Sequence, residues 1–215
     1  MRYFLIVGEA SGDLHASNLM REIKKLDHKA RFSFCGGDLM SAQGGTLIQH
    51  YREMAIMGFF NVLIHLRKIR SNFNVCKQAI ARFEPDVLIL VDYGGFNLRM
   101  ARYVRKTIPS IKIVYYIPPK IWAWNEKRVH TIKRYVDKVY TIFPFETDFY
   151  ASHDFEVEYV GNPTVEAIQN RPNQDQSFEA FCTKNNLYPK PVIALLAGSR
   201  KKEIETCLPR MYKAA

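Results

Sequence analysis

The stretch FLIVGEASGDLHASNLMREI, residues 4–23, passes from a short apolar run through a glycine-containing turn into a segment with helical periodicity. The run FLIV has the length of a buried strand, and Ala16, Leu19, Met20 and Ile23 then recur at helical spacing. This change of period predicts a strand, a tight turn and a helix. Open α/β sheets bind ligands where a helix begins at the carboxyl end of a parallel strand. The turn is therefore predicted to face a ligand, with a purely structural turn as the alternative.

Four residues of this turn are predicted to contact the substrate. Gly8 and Gly12 allow the backbone to bend and leave room for an approaching group. Ser11 or Asp13 could also cap the following helix by accepting from its first backbone amides. The Gly-x3-Gly spacing differs from the dinucleotide fingerprint, and the turn has no Walker lysine, so the local pattern leaves the ligand class open.

Strand-like and helical patterns alternate along most of the chain. This alternation predicts an α/β fold, a Rossmann-like and mostly parallel sheet with helices on both faces. Strands are expected near residues 3–7, 31–35, 86–92, 112–117, 137–143, 156–160 and 192–197.

The pattern also predicts two domains. Residues 1–168 form the first, the polar stretch 169–177 is a linker, and residues 178–215 begin a second Rossmann-like unit. One helix and one strand cannot cover their own apolar surface, so we expect the chain to be the front part of a longer protein.

Composition narrows the class of protein. The chain has 215 residues, of which 47% are hydrophobic, and no apolar run approaches the ~20 residues of a membrane span. The first apolar stretch ends at Gly8, too soon for a secretory signal. The four cysteines show no metal-ligand spacing, which favours buried thiols in a reducing compartment. We therefore expect a cytoplasmic protein without a bound metal.

Charge is unevenly distributed. The net charge is +10, and the excess of Lys and Arg lies within residues 59–140. Such clustering indicates an anionic partner, either nucleic acid, a phosphorylated substrate or an anionic membrane surface. Solvated helix faces are the alternative.

Residues 54–73 combine excess apolar surface with cations. Aromatic and aliphatic side chains that cover more than one helical stripe, followed at once by basic residues, are typical of a segment at a membrane surface. An ordinary core helix with a basic face is the alternative. The predicted membrane contacts are Met57, Phe59, Phe60, Leu63, Leu66, Arg67, Lys68 and Arg70.

Asp92 ends the buried strand DVLILVD and precedes the Gly94-Gly95 pair. Its carboxylate is expected to face the crevice at the carboxyl end of the sheet, where it could accept a proton from a hydroxyl nucleophile. The alternative role is a helix cap. The chain contains no Asp-x-Asp, the metal-binding signature of one large class of sugar-nucleotide enzymes.

Further candidates follow three later strands. Trp122 and Trp124 lie in a loop fixed by prolines, where aromatic rings could form an apolar wall against a sugar or an acyl chain. Plain core residues are the alternative. Glu146 and Asn162 each lie between a predicted strand and a predicted helix. All four are therefore expected at the same rim as Asp92.

Together these motifs resemble the lipid-A-disaccharide synthase family over essentially all 215 residues. The matching motifs, in order, are GEASGD at 8–13, MGFFNVL at 57–63, D-x-x-x-FN at 92–97, WAW at 122–124 followed by KR at 127–128, FPFE at 143–146, VGNP at 160–163 and LLxGSRxxEI at 195–204.

The resemblance implies a bacterial glycosyltransferase with two Rossmann-like domains (GT-B type), inverting and without metal or cofactor. It would transfer 2,3-diacylglucosamine from UDP-2,3-diacylglucosamine to 2,3-diacylglucosamine 1-phosphate at the cytoplasmic face of the inner membrane, giving the β-1,6-linked lipid A precursor and UDP. Asp92 would be the general base on the acceptor hydroxyl, Asn97 a substrate contact, and Ser199 and Arg200 nucleotide contacts. A homodimer of the full-length protein is one arrangement consistent with the family. We expect no turnover from this chain alone.

Two other functions are compatible with the residues. Another UDP-sugar enzyme of the two-domain type would share the architecture and use a soluble, unacylated acceptor. A basic nucleic-acid-binding α/β module would explain the charge of the middle segment but not the apolar excess that precedes it.

Overall fold

A computed structural model describes residues 1–54, 66–169, 171–198 and 201–215. It divides into two compact units, Met1–Val165 and Glu166–Ala215. The first unit contains a seven-stranded sheet in the order β3-β2-β1-β4-β5-β6-β7, and every neighbouring pair of strands is parallel. The strands are β1 Arg2–Ile6, β2 Arg31–Gly36, β3 Thr46–His50, β4 Val87–Val91, β5 Lys112–Tyr116, β6 Lys138–Thr141 and β7 Glu158–Tyr159.

The strand order reverses between β1 and β4, which pair with each other in the middle of the sheet. Every residue of β4, sequence VLILV, is buried, as expected for a parallel strand covered on both faces. The crevice at the carboxyl ends of such a pair is where doubly wound sheets bind ligands. The predicted Rossmann-like α/β fold is confirmed.

Helices cover both faces of this sheet. Phe4, Ile6, Leu88 and Leu90 belong to one buried apolar cluster, and the alternate residues of β1 and β4 belong to a second. Among the described residues, the helices that lie wholly within the first unit are Ala10–Leu26, Asp38–Ala42, Tyr51–Met54, Leu66–Phe83, Gly94–Thr107, Ile121–Trp124, Val129–Tyr135 and Phe145–Ala151, with a 3-10 turn at Glu126–Arg128.

Helix Pro163–Gln169 crosses the boundary between the units. The second unit also contains helices Phe178–Lys184 and Lys201–Ala214. Ser177 caps the former, because its hydroxyl accepts from the backbone N–H of Ala180 at 3.1 Å. No helix among the described residues combines the length and the apolar character required to span a bilayer.

Two elements differ from the sequence prediction. β3 was not predicted, because its first two residues, Thr46 and Leu47, are exposed at the sheet edge and its apolar signal is weak. The strand expected at 192–197 is absent, since residues 191–198 have no regular secondary structure. A strand needs a neighbour for its hydrogen bonds, and the described part of the second unit offers none.

Candidate functional site

The candidate site lies where β1 and β4 end side by side. β4 leads into Asp92 and Tyr93, which both adopt left-handed backbone conformations with φ of 44° and 48°. Such values are uncommon for residues other than glycine and are often found at functional sites, where surrounding contacts hold them in place. Helix Gly94–Thr107 begins directly after them. Asp92 and Tyr93 thus form the turn between the end of β4 and the start of this helix.

Asn97 holds this turn from inside the protein. Its side-chain nitrogen donates to the carbonyl oxygens of Ile6 at 3.4 Å, Val91 at 3.2 Å and Asp92 at 2.9 Å. The hydroxyl of Tyr115 donates to the same Asp92 carbonyl oxygen at 2.6 Å. Asn97 has no exposed surface and its side-chain nitrogen binds the protein's own backbone, and its role as a substrate contact stays a prediction. It is a positioning residue that joins the ends of β1 and β4.

Two cavities meet at Asp92. The larger has a volume of about 840 Å³ and the smaller about 390 Å³. Asp92, Gly94, Gly95 and Arg128 line both of them. A group bound in either cavity can therefore lie close to the same carboxylate.

The larger cavity combines cations with apolar surface. Arg70, Arg99 and Arg128 line it from three helical segments that are far apart in the sequence. The other described residues that line it outside the shared wall are Glu9, Ile69, Phe73, Tyr93 and Phe96. Guanidinium groups bind phosphate oxygens with charge-assisted hydrogen bonds, whereas the aromatic and aliphatic surface accommodates an acyl chain.

The protein environment changes the acidity of Asp92. Although the residue keeps an exposed surface, the surrounding protein excludes water and raises the pKa of its carboxyl, and the nearby negative charge of Glu9 raises it further. A hydrogen bond from the backbone N–H of Tyr93 and the ammonium group of Lys120 act in the opposite direction. A carboxylate with a raised pKa is a stronger base once ionised.

The smaller cavity has a stiff, partly aromatic wall. Pro118, Pro119, Lys120 and Trp124 line it. The guanidinium carbon of Arg128 lies 4.4 Å from the centre of the Trp124 ring, a cation–π contact that holds the arginine between the two cavities. Trp124 is 66% exposed, so its ring is available to a ligand.

Trp122 and Glu146 bind each other. The indole nitrogen of Trp122 donates to one carboxylate oxygen of Glu146 at 3.1 Å. The other oxygen accepts from the backbone N–H groups of Phe143 at 3.1 Å and Ile142 at 3.3 Å. Glu146 is only 2% exposed and closes the turn after β6, and its substrate contact stays a prediction. Trp122 is partly exposed, and its contact with the substrate stays a prediction.

Asp13 caps a different helix from the expected one. Its carboxylate accepts from the backbone N–H groups of Gly37 at 2.8 Å, Leu39 at 3.0 Å and Met40 at 3.2 Å, at the start of helix Asp38–Ala42. Asp13 is 3% exposed, and its substrate contact stays a prediction. The cap expected from it or from Ser11 on helix Ala10–Leu26 is wrong, because that helix has no side-chain cap.

The other residues of this turn differ in accessibility. Ser11 is exposed, whereas Gly8 and Gly12 are buried. A Cβ atom on Gly12 would lie 3.1 Å from the Cβ atom of Val7, so this glycine allows the helix to pack closely against the end of β1. Gly8 and Gly12 thus shape the backbone of this segment, whereas the side chain of Ser11 is accessible to solvent.

Asn162 forms a local turn after β7, where its side-chain oxygen accepts from the backbone N–H of Thr164 at 3.0 Å. It lines neither cavity at Asp92. Of the predicted membrane contacts, Arg67, Lys68 and Arg70 are exposed near the start of helix Leu66–Phe83. The remaining predictions concern groups outside the described part of the structure: residues Met57, Phe59, Phe60, Leu63, Ser199 and Arg200, and the side chain of Leu66.

Among the described residues, four polar side chains of the larger cavity were not predicted as contacts: Glu9, Tyr93, Arg99 and Arg128. Position gives the signal that would have found two of them. Glu9 and Tyr93 lie in the turns that follow β1 and β4, where ligands are expected. Arg99 and Arg128 belong to basic runs that extend around their helices, and only the packing shows which members face the cavity.

The family comparison matches nearly the whole chain. The family model described as "Lipid-A-disaccharide synthetase" matches residues 3–215. The chain is 39% identical over 214 residues to "Lipid-A-disaccharide synthase 1" of Legionella pneumophila (strain Lens), covering 100% of this chain and 55% of that protein. It is 37% identical over 215 residues to "Lipid-A-disaccharide synthase" of Geobacter sulfurreducens, covering 100% and 54%. The chain spans about half the length of these curated relatives.

Solved structures with a similar fold include two UDP-GlcNAc 2-epimerases. The enzyme of Methanocaldococcus jannaschii, in complex with UDP-GlcNAc and UDP, has a TM-score of 0.61 at 12% identity, covering 86% of this chain and 54% of that chain. The enzyme of Neisseria meningitidis, bound to UDP-GlcNAc, has a TM-score of 0.57 at 11% identity, covering 79% and 48%. At this level of identity the similarity shows the fold alone.

Proposed function

Because the chain belongs to the lipid-A-disaccharide synthetase family, we propose that it forms the acceptor-binding part of a synthase. The reaction transfers 2,3-diacylglucosamine from UDP-2,3-diacylglucosamine to 2,3-diacylglucosamine 1-phosphate. The products are a β-1,6-linked disaccharide 1-phosphate and UDP. Family membership supports the reaction, and the residues around Asp92 support the placement of the acceptor.

The observation that carries the proposal is the position of Asp92 on the wall shared by the two cavities. The acceptor 6-hydroxyl lies beside this carboxylate, which takes its proton. As that proton leaves, the hydroxyl oxygen forms a bond to the anomeric carbon of the donor. The bond from this carbon to the diphosphate oxygen breaks, and UDP departs with the electron pair. Attack from the side opposite the leaving group inverts the anomeric centre.

The larger cavity fits the acceptor by its chemistry. The 1-phosphate binds among Arg70, Arg99 and Arg128, and the acyl chains lie against Phe73 and other apolar residues of the same cavity. Its volume of about 840 Å³ is within the usual range of small-molecule sites. The exposed ring of Trp124, in the smaller cavity, packs against a sugar.

The donor nucleotide binds to the second domain. We assign the first domain to residues 1–168, the linker to 169–177 and the start of the nucleotide-binding domain to 178–215. In this assignment Ser199 and Arg200 contact the diphosphate. A guanidinium beside the leaving UDP stabilises its charge without a metal ion.

An anionic membrane surface supplies both acylated substrates. Arg67 and Lys68 are exposed on the helix that also carries Arg70 into the cavity. Basic residues near an anionic bilayer contribute about 1 kcal/mol each. Arg67→Gln with Lys68→Gln should therefore weaken binding to phosphatidylglycerol vesicles by about 30-fold. The exposed pair Arg102→Gln with Lys106→Gln is the charge-matched control, and an equal loss in both would contradict a specific role for Arg67 and Lys68.

Product analysis tests the proposed reaction. The full-length synthase that contains this sequence is incubated with UDP-2,3-diacylglucosamine and 2,3-diacylglucosamine 1-phosphate, and the lipids are analysed by mass spectrometry. We expect one disaccharide 1-phosphate for each UDP released. Release of UDP without disaccharide, or an epimerised donor, would overturn the proposal. An unacylated acceptor should react poorly, because it leaves the apolar part of the cavity empty.

A further inference from the structure

A separate cavity opens at the amino ends of the strands, opposite to the carboxyl ends where Asp92 lies. Its volume is about 570 Å³. Arg2, Arg31 and Thr46, the first residues of β1, β2 and β3, all line it. β1 has five residues, and each adds about 3.3 Å to its length. The cavity therefore lies roughly 15 Å from the carboxyl ends of the strands, where Asp92 lies. None of the described residues that line it also lines either cavity at Asp92.

Four basic side chains meet at this cavity from separate elements. Arg2 and Arg31 begin strands, and Lys24 and Arg82 lie in the last turns of helices Ala10–Leu26 and Leu66–Phe83. Like charges brought together in this way repel one another, unless anions compensate them. The close approach of these four positive charges is therefore unfavourable for folding unless an anion binds among them.

Only part of this charge is matched. Arg2 forms ion pairs with Glu84 at 3.5 Å and Asp86 at 3.6 Å. Within the described residues no carboxylate pairs with the guanidinium groups of Arg31 and Arg82, and both residues are exposed. Two arginines in one concave site can bind an anion with several charge-assisted hydrogen bonds.

Two glycines form part of the remaining wall. Lys24 donates through its ammonium group to the carbonyl oxygen of Gln43 at 2.8 Å and so fixes the loop that leads into β3. Gly44 and Gly45 follow, with φ of 87° and 102°, in a region that favours glycine. A Cβ atom on Gly45 would lie 2.7 Å from the carbonyl oxygen of Phe32. This part of the wall thus carries no side chains that could fill the cavity.

We propose that this cavity is a second anion site, which binds a phosphate group through Arg31 and Arg82. It is independent of the reaction proposed at Asp92. The phosphate belongs either to a small soluble phosphate or diphosphate compound or to a lipid headgroup, since both present the same oxygens. The alternative role of the basic residues is to offset the helix dipoles. That role accounts for Lys24 and Arg82 at helix ends, but not for the arginines that begin β1 and β2.

The test follows the backbone amides of Gly44, Gly45 and Thr46 by NMR while inorganic pyrophosphate is added to the 215-residue chain. Saturable shifts of these amides are expected. Arg31→Gln with Arg82→Gln should weaken this response by about tenfold or more, because charged hydrogen bonds are the strong ones. Arg102→Gln with Lys106→Gln, an exposed pair that does not line the cavity, should leave the affinity at these amides unchanged.

The same variants distinguish the two sources of phosphate. If pyrophosphate saturates the site and the Arg31/Arg82 variant binds phosphatidylglycerol vesicles as the parent does, the ligand is soluble. If the variant loses vesicle binding and the Arg102/Lys106 variant does not, the site recognises a headgroup. The proposal is overturned if pyrophosphate does not shift these amides and the variant leaves vesicle binding unchanged, or if both variants weaken either response equally. Circular dichroism confirms that each variant is folded.

Discussion

The ring of Tyr93 lies directly over Gly8, and a Cβ atom placed on Gly8 would be 2.3 Å from the ring. Two turns that are far apart in the sequence thus pack against each other at the site. The ring cannot easily move away, because its hydroxyl donates to the carbonyl oxygen of Met54 at 3.1 Å and its face stacks on Phe96. Gly8 therefore has a packing role that no other residue could fill without displacing Tyr93.

Replacing Gly8 with alanine should lower stability. We expect a loss of about 1–3 kcal/mol, the usual cost of inserting a methyl group into a packed site. Thermal and urea unfolding measure it. Gly95→Ala is the control, because a Cβ atom there meets nothing within 4 Å and alanine favours the helix. Equal stability of Gly8→Ala and the parent protein would show that the Tyr93 ring is not fixed.

Asp13 should contribute more to stability than Ser11, although both belong to the GEASGD motif. Asp13→Ala leaves three backbone N–H groups at the start of helix Asp38–Ala42 without their acceptor. Loss of a helix cap costs about 0.5–2 kcal/mol, and unpaired buried donors add to it. Ser11→Ala should unfold with the parent. If the two variants unfold alike, the cap assigned to Asp13 is wrong.

These two residues show what the sequence can and cannot predict. The change from strand to helical period identified the turn and the fold, because periodicity depends only on which residues are buried. It could not reveal that Asp13 binds Gly37, a residue 24 positions away, because that contact exists only after β1 and β2 pair. Asn97 was predicted as a ligand from the resemblance and Glu146 from its place between a strand and a helix. Neither signal could reveal that Asn97 donates to the carbonyl oxygen of Ile6 or that Glu146 accepts from the indole of Trp122.

Stability should depend on pH through Asp92. Its carboxyl pKa is raised from an ordinary value of 3.8, so the protonated form favours the folded state. This contribution is complete below the ordinary pKa and is lost as the pH rises through the raised value. The parent should therefore lose stability relative to Asp92→Asn as the pH increases from about 3 to 7. Melting temperatures of both proteins across this range measure the difference.

Asp86 provides a control of opposite sign. A hydrogen bond from the backbone N–H of Arg2 lowers the pKa of its carboxyl, so its contribution is present above the ordinary pKa and is lost as the pH falls. Asp86→Asn should thus be less stable than the parent at neutral pH, and this gap should close in acid. A gap between the parent and Asp92→Asn that does not change with pH would contradict the assigned shift.

Arg128 should determine the affinity for the acceptor. It lines both cavities and is held against Trp124. Arg128→Gln removes a charged hydrogen bond to the 1-phosphate, worth about 1.5–3 kcal/mol, so the Kd for 2,3-diacylglucosamine 1-phosphate should rise by about tenfold or more. Titration calorimetry measures it. Arg102→Gln, an exposed arginine on helix Gly94–Thr107 that lines neither cavity, should bind as the parent does, and an equal effect in both variants would indicate only long-range charge.

The central claim is that Asp92 takes the proton from the acceptor hydroxyl, and steady-state kinetics of Asp92→Asn in the full-length synthase test it most directly. Asparagine keeps the size and the hydrogen bond from Tyr93 but cannot accept the proton near neutral pH. We predict that kcat falls by about 10²–10⁴ while the acceptor KM and the fold stay close to those of the parent. In the parent, the rate should rise with pH through the raised pKa of Asp92. A variant with near-parental kcat would contradict the account.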